Sequence, residues 1–400
     1  MTKTIAVIGA LDTKGEEFLF VKKEIEKRGH STLVINVGIV KNPGFEPDVP
    51  ADEVAEAGGS SLATLKEKSD RGLAIETMSK GIVKVIVHLH TTDRIQAVIS
   101  MGGSAGTEIG TAAMRALPLG VPKVMVSTLA SGDTKPYVGT RDIVMVPSIV
   151  DVAGINRISA RAYANAVGAV IGMVETPAPD ILEKPLLAAS MFGNTTPVVN
   201  RCRSIMENNG YEVLIFHQVG IPETLESLVA DGYISGVLDI TTTEWADQVT
   251  GGVLPGGPNR YDIVSQKGIP QVIAPGCVDM ANFWARDTVP IKYDDRRFYQ
   301  WAPNVTLMRT TPEENTEIGR FLAEKANMSS GPVAFFLPLQ GVSMMDAPDK
   351  EFWLPEANQA LFDAIKDNLK AGIPVYELDC NINDDEFADA LANKMLEFLK

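Results

Sequence analysis

TKTIAVIGALDTKGEEFLFVKKEIEKRGHSTLVINVG, residues 2–38, carries the reading of the fold. A β-branched run closes on Gly9, Phe18, Val21 and Ile25 then recur at helical spacing, and a second apolar run, STLVINVG, follows. Strand, helix and strand at these lengths make one βαβ unit, with the helix carrying the chain back so that the strands run parallel.

The rhythm repeats downstream. Residues 39–60 hold Pro, Gly and acid without sustained period and read as a long loop with one helical turn. Helical spacing returns over 62–89, a strand follows near 95–100, then the turn MGGSAGT, a helix to Leu117 and two strands, KVMVST and DIVMVPS. After a small-residue helix, residues 157–174, the segment ETPAPDILEKP brings three prolines and four charges and reads as a domain boundary. The pattern then restarts with the strands LLAASM, YEVLIFH, ISGVLDI, PQVIAPG, PVAFFLPLQG and IPVYELD, separated by helical segments. Residues 251–299, rich in Gly, Pro, Asp and aromatics, read as irregular loops at a cleft. The expected fold class is α/β, with two doubly wound, mostly parallel-sheet domains and a cleft between them. The first, 1–180, is Rossmann-like, and the second spans 181–400.

Composition narrows the partners. A chain of 400 residues with net charge −15 lacks the basic surface that nucleic-acid backbones demand, so no nucleic-acid partner is expected. No run reaches the roughly 18 apolar residues of a membrane span. The start enters a strand pattern directly, which sets a cytoplasmic, soluble protein as the expectation. Three widely spaced cysteines, Cys202, Cys277 and Cys380, fit reduced thiols better than a disulfide frame or zinc site.

Parallel sheets gather functional loops at the carboxyl ends of their strands. Three such loops fall in the first half. GALDTKGEE follows the first strand and supplies Asp12, Thr13 and Lys14, although Lys14 precedes Gly15 and the P-loop order is not met. GGSAGT carries Gly102, Gly103, Ser104, Gly106 and Thr107, whose bare backbone and hydroxyls suit an oxyanion. STLASGDTKPYVG follows the next strand. The same glycines also serve tight turns, and Gly102, Ser104 and Gly106 satisfy the G-x-S-x-G nucleophile elbow. For that elbow the triad histidine would be His217, the one histidine after Ser104. His88 and His90 lie two apart in a helical stretch, hence on different faces. In the second half Asp239, Glu244, Asp279, Arg296, Arg297, Ser343, Asp346, Asn383 and Asp384 stand near strand ends, where they can serve a small polar substrate, cap helices or pair at the surface. Cys277 reads as a buried thiol, and Trp284 and Trp301 as a core or cleft wall.

Together IAVIGALDTKGEE, MGGSAGT, ASGDT, LDITTTE, PGCVDM, LMRTTPEEN, PLQGVSMMD and NINDDEFADAL resemble the Tm-one-like ATP-binding domain family, named after a plant inhibitor of tomato mosaic virus RNA replication. The resemblance runs in order over nearly the whole chain. It implies two α/β domains, frequent dimerisation, and a nucleotide held in the first domain by Asp12, Thr13, Lys14, Gly102, Gly103, Ser104, Gly106, Thr107, Ser131, Gly132 and Asp133. The chain departs from the family in its second half. FHQVGIPETLES keeps His217 but lacks a glycine pair, QWAPN replaces His-Asn-Pro, and NIND places Asn381 where relatives carry histidine.

The expected function is binding of ATP, with Mg²⁺ held by Asp12 or Asp133, together with a small polar ligand that includes carboxylates. A homodimer or higher homo-oligomer is expected. Two alternatives stay open: a hydrolase or carbon–carbon lyase on a small acid, using Asp239, Glu244 or Asp384 beside Arg296, and a non-enzymatic nucleotide-responsive binding protein.

Overall fold

β1 (Thr4–Gly9) and β2 (Ser31–Asn36) pair in parallel, Thr4 with Ser31 through Gly9 with Asn36, and α1 (Leu11–Glu26) crosses between them. The computed structural model describes residues 2–177, 180–218 and 223–400. The chain divides into two compact units, Met1–Asp180 and Ile181–Lys400.

In the first unit the chain continues through α2 (Ala51–Ala57), α3 (Leu62–Lys68), α4 (Arg71–Thr91), β3 (Ala97–Gly102), α5 (Ser104–Arg115), β4 (Lys123–Ser127), α6 (Lys135–Val138), β5 (Val144–Pro147) and α7 (Arg157–Glu175). All five strands are parallel, in the order β2-β1-β3-β4-β5. Helices cover both faces, which is why β1 is apolar without a break: Ala6 and Ile8 join Val54, Ile82 and Met114 on one side, while Ile5 and Val7 join Phe18, Tyr163 and Val167 on the other.

The second unit runs β6 (Leu186–Met191), a 3₁₀ turn (Gly193–Thr195), α8 (Thr196–Asn208), β7 (Glu212–His217), α9 (Glu223–Ala230), β8 (Ile234–Thr241), α10 (Glu244–Thr250), α11 (Asp262–Gln266), β9 (Gln271–Gly276), β10 (Met280–Phe283), β11 (Phe298–Ala302), β12 (Val305–Arg309), α12 (Pro312–Asn327), β13 (Val333–Pro338), α13 (Pro355–Asn368), β14 (Val375–Leu378) and α14 (Asp385–Phe398). Its six-stranded parallel sheet is ordered β14-β13-β9-β8-β6-β7. Counted along the chain, the first three strands take the same places as in the first unit.

Two expectations need amending. Within 251–299 the chain is not simply irregular, because β10 and the start of β11 lie there and pair antiparallel with β12 in a separate three-stranded sheet. MANF and FYQWA are too short and too mixed to announce a strand, and the pairing with β12 makes them one. The long loop after β2 holds seven-residue α2 rather than a single turn. No helix among the described residues is long and apolar enough to cross a membrane.

Candidate functional site

Order β2-β1-β3 means the chain leaves β1 to one side and later returns on the other, so a crevice opens outside the carboxyl ends of β1 and β3. A cavity of about 740 Å³ lies there. Its walls come from the β1–α1 turn (Ala10, Asp12, Thr13), the segment after β2 (Gly38, Val40), α3 and α4, and α5 through Gly106 and Ile109. Leu65, Ala74, Ile75 and Met78 make one side apolar, and the exposed Lys66 and Arg71 stand at the rim. Asp12 organises the lip: its Oδ2 accepts from the amides of Val40 (2.7 Å) and Lys41 (3.2 Å). Asn36 Oδ1 accepts from the amides of Leu11 (3.1 Å) and Gly38 (2.9 Å), tying the turn after β1 to the end of β2.

The β3–α5 turn forms one bank of this cavity. Gly102 and Gly103 are glycines for different reasons. A Cβ on Gly102 would meet Gly106 Cα at 2.8 Å, so this glycine lets the strand and helix close on each other. On Gly103 a Cβ would meet nothing nearer than Thr128 Oγ1, at 3.8 Å. Gly103 is the N-cap of α5 and supplies no side-chain acceptor. The first backbone bond of the helix runs from Thr107 N to Gly103 O (2.8 Å), which leaves the amides of Ser104, Ala105 and Gly106 without helical acceptors. Ser104 is exposed and Thr107 is buried, its hydroxyl 2.7 Å from Ser127 Oγ, so Thr107 pins the turn to β4.

Of the first-half candidates Asp12, Thr13 and Gly106 line the cavity, Gly102, Gly103, Ser104 and Thr107 stand behind that wall, and the rest lie apart from it. Lys14 breaks the helical geometry of α1 (φ −134°, ψ 31°), and its Nζ donates to the carbonyl of Val152. Ser131 lines a second hollow of about 370 Å³ with Ser127, Thr128, Ser148 and Asp151, outside the ends of β4 and β5. Thr128 N donates to Gly102 O at 3.2 Å, so this hollow adjoins the glycine turn from the other side. Gly132 N donates to Leu129 O (3.0 Å) and Asp133 Oδ1 accepts from Lys135 N (3.0 Å), as in an ordinary turn. Ser104 is not among the described residues with positive φ, so the strained backbone of a nucleophile elbow is not formed there. Cys277 is among them, with φ +60°.

In the second unit, Asp239 and Glu244 do come together, through a residue that sequence reading did not single out. Arg260 is buried and grips Asp239 in a fork, both N···O distances being 2.8 Å, while its Nε donates to Glu244 Oε2. Ser190 Oγ donates to Asp239 Oδ1 (2.8 Å). Gln218, its amide nitrogen 2.7 and 2.8 Å from the Glu244 oxygens and its oxygen accepting from Tyr261 Oη at 2.6 Å, closes the network. Burial pushes the Glu244 carboxyl above its usual range against the pull of Arg260; for Arg260 the two carboxylates outweigh burial and hold it charged. Arg296 and Asp384 stand elsewhere. Arg296 pairs with Glu314 (2.9 and 2.6 Å), and Asp384 is the N-cap of α14, its Oδ2 accepting from Asn381 N (2.7 Å). Arg297 donates to the carbonyls of Glu351 and Trp353. Of the departures from the family, Val219 to Pro222 lie outside the described residues.

Asp247 is a further buried acid, taking hydrogen bonds from Asn282 N (2.8 Å) and Nδ2 (2.6 Å). Burial raises its pKa to about 7. A folded-state value above the unfolded one means the folded form holds the proton more tightly. Its contribution is therefore whole below about pH 4 and is lost as pH rises toward 7. At 1.36 kcal/mol per unit the loss is at most roughly 4 kcal/mol. Asp247→Asn should accordingly gain on the wild type between pH 5 and pH 8, read as urea midpoints; parallel pH profiles for the two proteins would contradict this.

Among the described residues no group of three or more His, Cys, Asp or Glu is arranged to hold a metal. Residues 3–179 match the N-terminal domain, and 184–399 the C-terminal domain, of "Uncharacterised protein family (UPF0261)". The chain belongs to this family. A UPF0261 protein of Clostridium tetani is 50% identical over 403 residues, covering 100% of both chains. The ToMV resistance protein Tm-1(GCR237) of Solanum lycopersicum is 38% identical over 416 residues, covering 98% of this chain and 55% of the tomato protein. Among solved structures, UDP-N-acetylglucosamine 2-epimerase from Rickettsia bellii aligns over 100% of this chain and 96% of its own at 11% identity and a TM-score of 0.25, a likeness that carries no functional argument.

Proposed function

We propose that the first unit of this UPF0261 protein binds ATP or a similar nucleotide at the β1/β3 crevice. The base and ribose occupy the cavity beside Leu65, Ile75 and Met78. The phosphates lie along the amides of Ser104, Ala105 and Gly106, toward the hydroxyls of Thr128 and Ser131. The carrying observation is Gly103: nothing inside the chain requires it to be glycine, and its bare backbone lets an anion approach an uncapped helix start. A volume of about 740 Å³ fits a ligand of this size. Lys66 and Arg71 supply cations at the rim, the place sequence reading gave to Lys14. Mg²⁺ would arrive with the phosphates, since Asp12 Oδ2 already serves two amides and Asp133 an Asx turn.

Calorimetric titration with ATP and Mg²⁺ should show one site with a Kd below about 1 mM, equivalent to about −4 kcal/mol. No heat at millimolar nucleotide would remove the reading. Three buried, unpaired thiols support a reducing, cytoplasmic setting. The exposed Ile149 and Ile158 near edge strand β5 support the homodimer.

A further inference from the structure

The hollow of about 370 Å³ outside the carboxyl ends of β4 and β5 has two kinds of polar group in its wall. The buried ones are spent on the fold. Ser127 Oγ bonds Thr107 Oγ1 (2.7 Å) and accepts from Leu129 N (3.0 Å), and Ser148 Oγ donates to Val150 O (2.6 Å). The others, the hydroxyls of Thr128 and Ser131 and the carboxylate of Asp151, belong to exposed residues and have no hydrogen-bond partner among the described residues. They face one common space that water and solutes can enter. Its volume stands at the lower end of the roughly 300–1,000 Å³ of ligand pockets, which suits a small molecule rather than a second nucleotide.

The loop that carries Asp151 is strained and fastened. Val150 N donates to Ser148 O (2.8 Å) across the single residue Ile149, whose φ is +66°. A γ-turn of positive φ is the rare and costly form, more so on a β-branched residue, and strain of this kind gathers at ligand sites. Two side chains of α1 hold the loop in place: Lys14 Nζ donates to Val152 O, and Glu17 Oε1 accepts from Gly154 N (2.5 Å). Val152 itself is fully buried. The start of α1, whose turn also walls the larger cavity, thereby sets where Asp151 stands.

The hollow and the larger cavity lie on opposite sides of one turn. Thr128 N donates to Gly102 O (3.2 Å), and Thr128 Oγ1 is the atom nearest the missing Cβ of Gly103. A nucleotide whose base fills the larger cavity and whose phosphates lie on this turn therefore ends its phosphate chain beside the hollow. Among the residues lining the hollow Asp151 alone is charged, so an anionic guest is repelled and a hydroxyl beside the carboxylate finds a proton acceptor. We propose that the hollow seats a small alcohol, uncharged or cationic, as the acceptor of the nucleotide's terminal phosphoryl group; this rests on the nucleotide reading above. The acceptor's hydroxyl oxygen bonds to the γ-phosphorus, and the bond from that phosphorus to the β–γ bridging oxygen breaks, its electron pair leaving on the nucleoside diphosphate. The hydroxyl proton passes to Asp151. Ser131 holds the acceptor by hydrogen bonds, and Pro147 meets its carbon face.

The test gives the full chain ATP and Mg²⁺ with glycerol, D-ribose, D-glucose, myo-inositol or ethanolamine, each at ~10 mM, and follows products by phosphorus NMR. At least one compound should be phosphorylated. Asp151→Asn should then lower kcat for the transfer at least ~100-fold while the Kd for ATP stays within about twofold. Ser131→Ala should raise KM for the acceptor ~10-fold with little change in kcat. Both residues are exposed and unbonded through their side chains, so both variants keep the fold. ATP that binds without phosphorylating any of the five compounds, phosphate released to water alone, or transfer that Asp151→Asn retains would each overturn the proposal and leave the nucleotide site standing. A chain that gives no heat with ATP loses the nucleotide reading, and this one with it.

Discussion

Arg260→Met should destabilise the second unit by about 3–5 kcal/mol, the cost of leaving buried charges without their partner. In a unit of this size that lowers the melting temperature by roughly 6–20 °C. The physical reason is asymmetric. Intact, the cluster of Arg260, Asp239 and Glu244 offsets the desolvation of three charges by a bidentate fork and one further ion pair, and its net worth is small. Broken on one side, it strands two carboxylates away from water. They can regain neutrality by taking up protons, so the deficit should grow with pH: the folded variant's acids titrate above the unfolded ones, and stability is lost as pH rises through that interval. A triple variant, Arg260→Met with Asp239→Asn and Glu244→Gln, should recover most of the loss. Urea unfolding at pH 6 and pH 8 measures all of this, and an Arg260→Met protein within 1 kcal/mol of the wild type would show that the ions are solvated or paired elsewhere.

Gly103→Val should lower ATP affinity by at least ~100-fold, about 2.8 kcal/mol, while changing stability by no more than about 1 kcal/mol. A Cβ there lies 3.8 Å from its nearest neighbour, Thr128 Oγ1, and the branched side chain beyond it is expected to fill the approach to the α5 amides. Gly102→Ala supplies the opposite case. Its methyl group would press on Gly106 Cα at 2.8 Å and cost about 1–3 kcal/mol of stability. Calorimetry for binding and denaturant melts for stability distinguish the pair. Should Gly103→Val bind ATP as the wild type does, the phosphates do not lie on this turn.

Which parts of the fold could be read in advance follows from the range of the forces involved. The βαβ rhythm of both units was legible because buried parallel strands need unbroken apolar runs and their covering helices need a 3.6-residue stripe, and both constraints act within a dozen residues. IAVIG, VISMG and ISGVLDI announce β1, β3 and β8 in this way. The small antiparallel sheet was not legible, because MANF and FYQWA acquire their strand character from β12 rather than from their own composition.

The candidate sites divide along the same line. GALDTKGEE and GGSAGT could be placed at the mouth of the first sheet from the chain alone, since a loop that follows a parallel strand must emerge at its carboxyl end. Which side chains face the cavity could not. Lys14 looked like the cation for a phosphate until the kink in α1 turned it toward Val152, and Lys66 and Arg71 reach the rim from helices fifty residues on. Arg260 stands in a loop, GGPNRYD, with nothing local to mark it as buried, and becomes the centre of a charge network only when β8 and α10 close around it. Periodicity and turn chemistry are properties of neighbours in sequence, and they were enough for the class of fold, the parallel sheets and the ends where the loops gather. Burial of charge and the pairing of distant carboxylates with one guanidinium are properties of neighbours in space, so they arose only once the packing excluded water.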